Sequence, residues 1–165
     1  MRHVFPFVIL VFFIGCVANP LTREELKKTA TEHPGLSVLG TYTTNRGFEQ
    51  VVASLDRKWQ ECYNVNRTTT RTQGGMTASR YRDTYNPKSR KVNNSLVEMT
   101  IQMTTQGMVM LSKVPKGGEY IVALDIKRLP GNKARLMWYS RAGWGESWER
   151  NKKWSEGKDV ACDAD

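Results

Sequence analysis

With three cysteines and two histidines in 165 residues, the sequence has little with which to hold a metal or run redox chemistry. No CxxC pair and no paired histidines occur, so the ligand spacing of a zinc site is missing, and no metal or cofactor is expected. His33 is the single histidine after His3 and so the sole candidate base, and a histidine-based nucleophilic triad is not expected. No GxSxG elbow occurs, and Glu98, Glu119 and Asp125 are scattered without the spacing of an acid and base pair, so a non-catalytic protein is expected. Repeats and low-complexity tracts are absent, as is any apolar run long enough to span a bilayer. Acidic residues are also scarce: 16 against 25 lysines and arginines give a formal charge of +9 and a preference for anionic partners. What remains is a composition of 39% hydrophobic and 25% charged residues, which fits one globular domain of ordinary size.

The N-terminus carries an address. Met1-Arg2-His3 is followed by the apolar run Val4 to Ile14, and eleven residues at about 1.5 Å each cover only about half of a hydrocarbon core. That is the pattern of a cleaved secretion signal. Phe13-Ile14-Gly15-Cys16 resembles the lipobox of bacterial lipoproteins, in which a small residue precedes the cysteine that receives lipid. The family pattern prefers leucine where Phe13 stands and a small or branched residue where Ile14 stands. The resemblance implies a signal peptide over 1–15, a lipid at Cys16 and, because Val17 is not aspartate, sorting to the periplasmic face of the outer membrane. A plain secretory signal cut near Ala18 or Asn19, giving a secreted protein, is the alternative. The Asn66-Arg67-Thr68 and Asn93-Asn94-Ser95 sequons matter only in that second case, and only for a eukaryotic source. After export, Cys62 and Cys162 form an even pair and are expected to be joined as a disulfide.

The chain after residue 15 divides into a lipid-anchored segment with a short helix, 16–35, and a single α+β domain, 36–165. Thr22-Arg23-Glu24-Glu25 has capping-box spacing, and His33-Pro34-Gly35 stops the helix it starts. Leu36, Val38, Gly40 and Tyr42 alternate as a first strand. Asn45 is read as the N-cap of the clearest helix, whose stripe of Phe48, Val51, Val52, Leu55, Trp59 and Cys62 leaves Glu49, Asp56, Arg57 and Lys58 to water. The period then changes to two, with strands expected over Tyr63–Arg71, Thr77–Tyr85, Val92–Thr105, Met108–Val114, Glu119–Leu129 and Lys133–Arg141. Turns are expected at Gly74-Gly75, Asn86-Pro87, Gln106-Gly107, Lys116-Gly117-Gly118 and Pro130-Gly131-Asn132. Such short connections predict an antiparallel meander packed against the central amphipathic helix and a C-terminal helix over 143–157. This order resembles a helix-grip arrangement, similar in outline to the BamC-like domains of outer-membrane assembly lipoproteins, a likeness of topology that transfers no function.

Two basic, aromatic stretches are candidate binding surfaces: Arg80 and Arg82 in the stretch from Arg80 to Lys91, around the loop expected at Asn86-Pro87, and Arg141, Arg150, Lys152, Lys153 and Trp154 in the tail. Trp154 with its lysines suits a headgroup zone or a sugar surface, whereas Trp144 and Trp148, one turn apart, suit the core. Asp125, between Leu124 and Ile126, reads as an outward strand position. Export disfavours nucleic acid and leaves lipopolysaccharide, anionic lipid, acidic glycan or an envelope protein as partners. The stripe Val97, Met99, Ile101, Met103, continued by Met108 and Met110, fits core packing or a cavity that accepts an amphiphile. The leading expectation is a lipid-anchored envelope protein that binds an anionic partner or serves an envelope complex. The alternative is a carrier or sensor of a small amphiphile held between helix and sheet.

Overall fold

A computed structural model describes residues 20–73, 76–106 and 116–162, with the side chains of 69, 71–73 and 76–80 outside that description. The expected signal, Cys16, and the Met108–Val114 strand with Met108 and Met110 lie outside the described residues, as do Gly74-Gly75 and Gly107 of the expected turns.

The elements in chain order are α1 (Arg23–Glu32), β1 (Ser37–Thr44), α2 (Phe48–Tyr63), β2 (Asn66–Gln73), β3 (Met76–Asn93), β4 (Leu96–Gln106), β5 (Glu119–Arg128), β6 (Ala134–Arg141) and α3 (Gly145–Ser155). The strands form one antiparallel sheet in the order β1-β6-β5-β4-β3-β2. The fold is α+β with a meander from β2 to β6, and α2 carries the chain from one edge strand to the other.

Apolar residues at alternate positions build the inner face. Val97, Met99 and Ile101 of β4 lie opposite Ile126, Leu124 and Val122 of β5, which in turn lie opposite Leu136, Trp138 and Ser140 of β6. Phe48, Val51, Leu55 and Trp59, one stripe of α2, fill the space above them with no exposed surface. Trp138 meets Trp59 edge to face at 6.2 Å and stacks on Trp148 of α3 at 5.7 Å. Gly40 of β1 allows that stack, because a Cβ there would run into the indole of Trp148.

The other face of the sheet carries α1, packed on β1, β5 and β6 with Leu26 and Ala30 sealed from water. Its capping box is formed: Thr22 Oγ1 accepts from the Glu25 amide at 3.1 Å, and the Glu25 carboxylate accepts from the Thr22 amide at 3.2 Å. Asp125 is therefore on the outer face but buried, ion-paired with Arg23 and with Lys27 at 2.8 Å, because α1 covers a position that strand alternation alone assigns to water. Arg23 also reaches Glu98 at 3.2 Å.

Several local expectations are corrected. Asn86-Pro87 is no turn; β3 runs through it, and the chain reverses between β3 and β4 at Asn94-Ser95. Proline is tolerated there because the β2 ladder ends at Asn66 opposite Thr84, so beyond Tyr85 that edge of β3 carries no ladder for the missing N–H to break. The basic stretch 80–91 is accordingly one continuous strand, without the loop expected in its middle. Gly47, not Asn45, caps α2, its carbonyl accepting from Val51 at 3.0 Å while Thr44 Oγ1 takes the Arg46 amide at 3.2 Å. Lys58 is buried rather than solvated, its ammonium drawn down to Asp159 at 2.6 Å and Glu61 at 3.2 Å.

Candidate functional site

A cleft of about 290 Å³ opens where the end of α2, the beginning of β2, the middle of β3 and the beginning of α3 converge. Aromatic rings form its walls. Trp144 lies 5.8 Å from Tyr63 and 6.0 Å from Tyr85, ring centre to ring centre, and the guanidinium of Arg67 stands 6.0 Å over the Tyr85 ring. Glu146 and Ser147 in the first turn of α3 and Arg150 in the second complete the polar side.

Local sequence explains each position. Gly143 takes a positive φ of 90° just after β6, turning the chain so that Trp144 faces back toward the sheet as the cap of α3. Tyr85 falls on the inner face because alternate β3 residues point inward, and Arg67 lies on the same side, opposite Asp83. Tyr63 ends α2, one residue after Cys62, and Cys62 is joined to Cys162 as a disulfide across 100 residues of sequence. That bond, the Lys58–Asp159 pair and the bond from Trp154 Nε1 to the Val160 carbonyl at 2.9 Å fasten the tail beneath the cleft.

Behind the cleft wall, the fully buried Asn151 is the common partner. Its Oδ1 accepts from Trp59 Nε1 at 2.6 Å, and its Nδ2 donates to the Ser147 carbonyl at 2.7 Å and to the Tyr63 hydroxyl at 3.4 Å. The tyrosine is thereby tied to the core. Burial pushes the Tyr63 and Tyr85 hydroxyls above their ordinary pKa, with Asp83 adding to the effect at Tyr85, so neither ring acquires charge near neutral pH. Two guanidiniums beside uncharged rings suit a ligand with one anionic group and a flat body.

The structure divides the residues expected to bind. Arg150 lines the cleft and donates to Ser147 Oγ at 3.0 Å. Arg82 is exposed on the opposite face of the sheet, where the β3 backbone also carries Arg80. Arg141 pairs with Glu119 at 3.2 Å at the end of β6, and Lys152 pairs with Glu149 at 2.7 Å and lies 5.6 Å over Trp148. Lys153 is exposed on α3, outside the cleft lining. Trp154, expected at the surface, is wholly buried beside Tyr63 at 6.0 Å, because it lies one turn from Asn151 on the inward stripe of α3.

Tyr63, Asn151 and the inward-facing Arg67 join the site without having been singled out from the sequence. The spacing 144, 148, 151 carried a signal: an asparagine on the same helical stripe as two tryptophans marks a buried polar junction. Among the described residues no group of His, Cys, Asp and Glu could hold a metal ion, and no helix is long and apolar enough to cross a membrane. No protein family matches the chain, and neither a curated protein nor a solved structure does so.

Proposed function

We propose that the chain is a non-catalytic, lipid-anchored protein of the cell envelope, held at Cys16, whose aromatic and arginine-lined cleft binds an anionic partner. The observation that carries the reading is the convergence of Trp144, Tyr63 and Tyr85 with Arg67 and Arg150 in one opening. Rings offer a flat apolar wall to a sugar or ring-shaped body, and guanidiniums recognise carboxylate or phosphate through paired N–H donors. An acidic glycan combines these features. The excess of basic residues favours encounter with the same class of ligand. The lipobox-like Phe13-Ile14-Gly15-Cys16 supports the anchor and, with Val17, the outer membrane as its site.

The reading as an amphiphile carrier draws on the same opening rather than on the interior, since Trp59, Trp138 and Phe48 occupy the space between α2 and the sheet. Calorimetric titration with an acidic oligosaccharide, its uncharged counterpart and a single-chain fatty acid separates the two. Binding of the acidic sugar alone, weakened at least several-fold by Trp144→Ala and by Arg67→Gln, is expected. Equal binding of the uncharged sugar, or unchanged affinity in both variants, refutes the proposal, and selective uptake of the fatty acid transfers the cleft to the carrier.

A further inference from the structure

We infer that the outer face of β3 and β4 is the surface that rests on an anionic bilayer, an inference that stands on the anchoring reading of Cys16. Its first support is a length. The described chain begins at Pro20, and the four residues from Cys16 onward can span at most about 14 Å when fully extended. Whatever part of the molecule adjoins Pro20 is therefore held close to the lipid. The Pro20 carbonyl accepts from the Tyr120 amide at 3.3 Å, which fixes the entry to α1 at the margin of an open groove of about 540 Å³. Arg23 and Glu24 form one side of that groove, and Lys88 and Arg90 of β3 form the other.

Charge selects which side turns to the membrane. Helix α1 presents Glu24, Glu25 and Glu32 to solvent against Lys28, a face that an anionic surface repels. The uncovered half of the sheet is the reverse. Its outward side chains include Arg82, Lys88 and Arg90, all exposed, among Asn66, Thr68, Thr84, Asn86 and Thr104. Glu98 is the one carboxylate among the described side chains of that half-face, and it is shielded, held by Arg23 at 3.2 Å and by Arg90 at 2.5 Å. The groove-side cations and the tether start thus lie together, within reach of headgroup phosphates whose field extends about 8 Å at physiological salt. Seated in this way, the protein turns the cleft, on the inner face of the sheet, away from the bilayer.

Amine footprinting of the mature protein in vesicles tests the orientation. The protein is placed in phosphatidylglycerol–phosphatidylcholine vesicles and in phosphatidylcholine alone, and acylated briefly at low and high salt. Lysine reactivity and the N-terminal peptide are read in one digest by mass spectrometry. Lys88 is expected to be protected several-fold in the anionic vesicles, with Lys153 and Lys158 unchanged, and the protection is expected to shrink at high salt. A lipidated N-terminal peptide with Lys88 unprotected, or with protection at Lys153 and Lys158 instead, overturns the orientation and leaves the anchor standing. An N-terminal peptide without lipid overturns the anchor, and the orientation with it.

Discussion

On the inner face of the sheet, Trp59, Trp138 and Trp154 are sealed from water among aromatic neighbours, and a disulfide closes the tail over them. On the outer face, a ten-residue helix is held by Leu26, Ala30 and a cluster in which Arg23 and Lys27 meet Asp125 and Glu98. The inner layer draws on burial and dispersion, which act in every direction and tolerate modest rearrangement. The outer layer draws on charges taken out of water, which stabilise only while every partner is present. The same contrast separates a cleft with a fixed shape from a groove whose walls are long charged side chains.

The largest effect is expected inside. Trp59→Ala removes a fully buried indole and the partner of Asn151, and is predicted to cost about 5 kcal/mol, at the upper end for such truncations. Urea denaturation of the variant checks it. Replacement of Cys62 and Cys162 together by alanine frees a 100-residue loop and should lower stability by about 3–4 kcal/mol, with the cleft rings still in place in the folded state. Loss of ligand binding before loss of folding would show that the bond shapes the cleft as well as stabilising it.

The outer cluster makes the contrast sharper. Asp125→Ala takes from the buried Arg23 its best-shielded partner, leaving Glu98 at 3.2 Å and the exposed Glu24 at 3.8 Å, and is expected to cost about 3 kcal/mol. The double change Asp125→Leu with Arg23→Met should recover most of that loss, because apolar residues of similar volume replace buried ion pairs at little cost. A double variant as unstable as the single one would mean that the charges specify how α1 docks.

The smallest expected effect is that of acid. Burial raises the Glu98 pKa, but Arg90 and Arg23 overcome this and hold it below the ordinary value; the hydrogen bond from Lys58 likewise lowers Asp159. Both groups therefore bind protons more weakly in the folded state, and their contribution is complete above the ordinary carboxylate range. It is lost as the pH falls below about 4, so the midpoint of thermal unfolding should be flat near neutrality and decline below that value. A decline already present near pH 6 would contradict the assignment.

Much of this contrast was legible in sequence, and the exceptions have physical causes. The stripe of α2, the capping box and the inward alternation of β4 to β6 depend on local period and are present, although β4 starts at Leu96 and not at Val92, because the chain reverses at Asn94-Ser95. Asp125 points outward as its strand position requires, but its burial, like that of Lys58, depends on α1 and on the tail segment around Asp159, elements far away in sequence. Pro87 was misread because the local signal for a turn says nothing about where a neighbouring strand ends. For the cleft, Arg150 was legible as a basic residue beside tryptophans. Its grouping with Arg67 and Tyr85 depends on strand pairing, which no spacing along the chain encodes.

The central claim is that an anionic ligand occupies the cleft. Its most direct test follows backbone amide shifts in isotope-labelled protein during titration with an acidic oligosaccharide. Saturable shifts confined to residues 62–67, 83–86 and 143–151 are expected, with the indole N–H of Trp144 among the largest. Shifts gathered instead on Lys153 and Lys158, or spread over the outer face from Arg82 to Arg90, would contradict it.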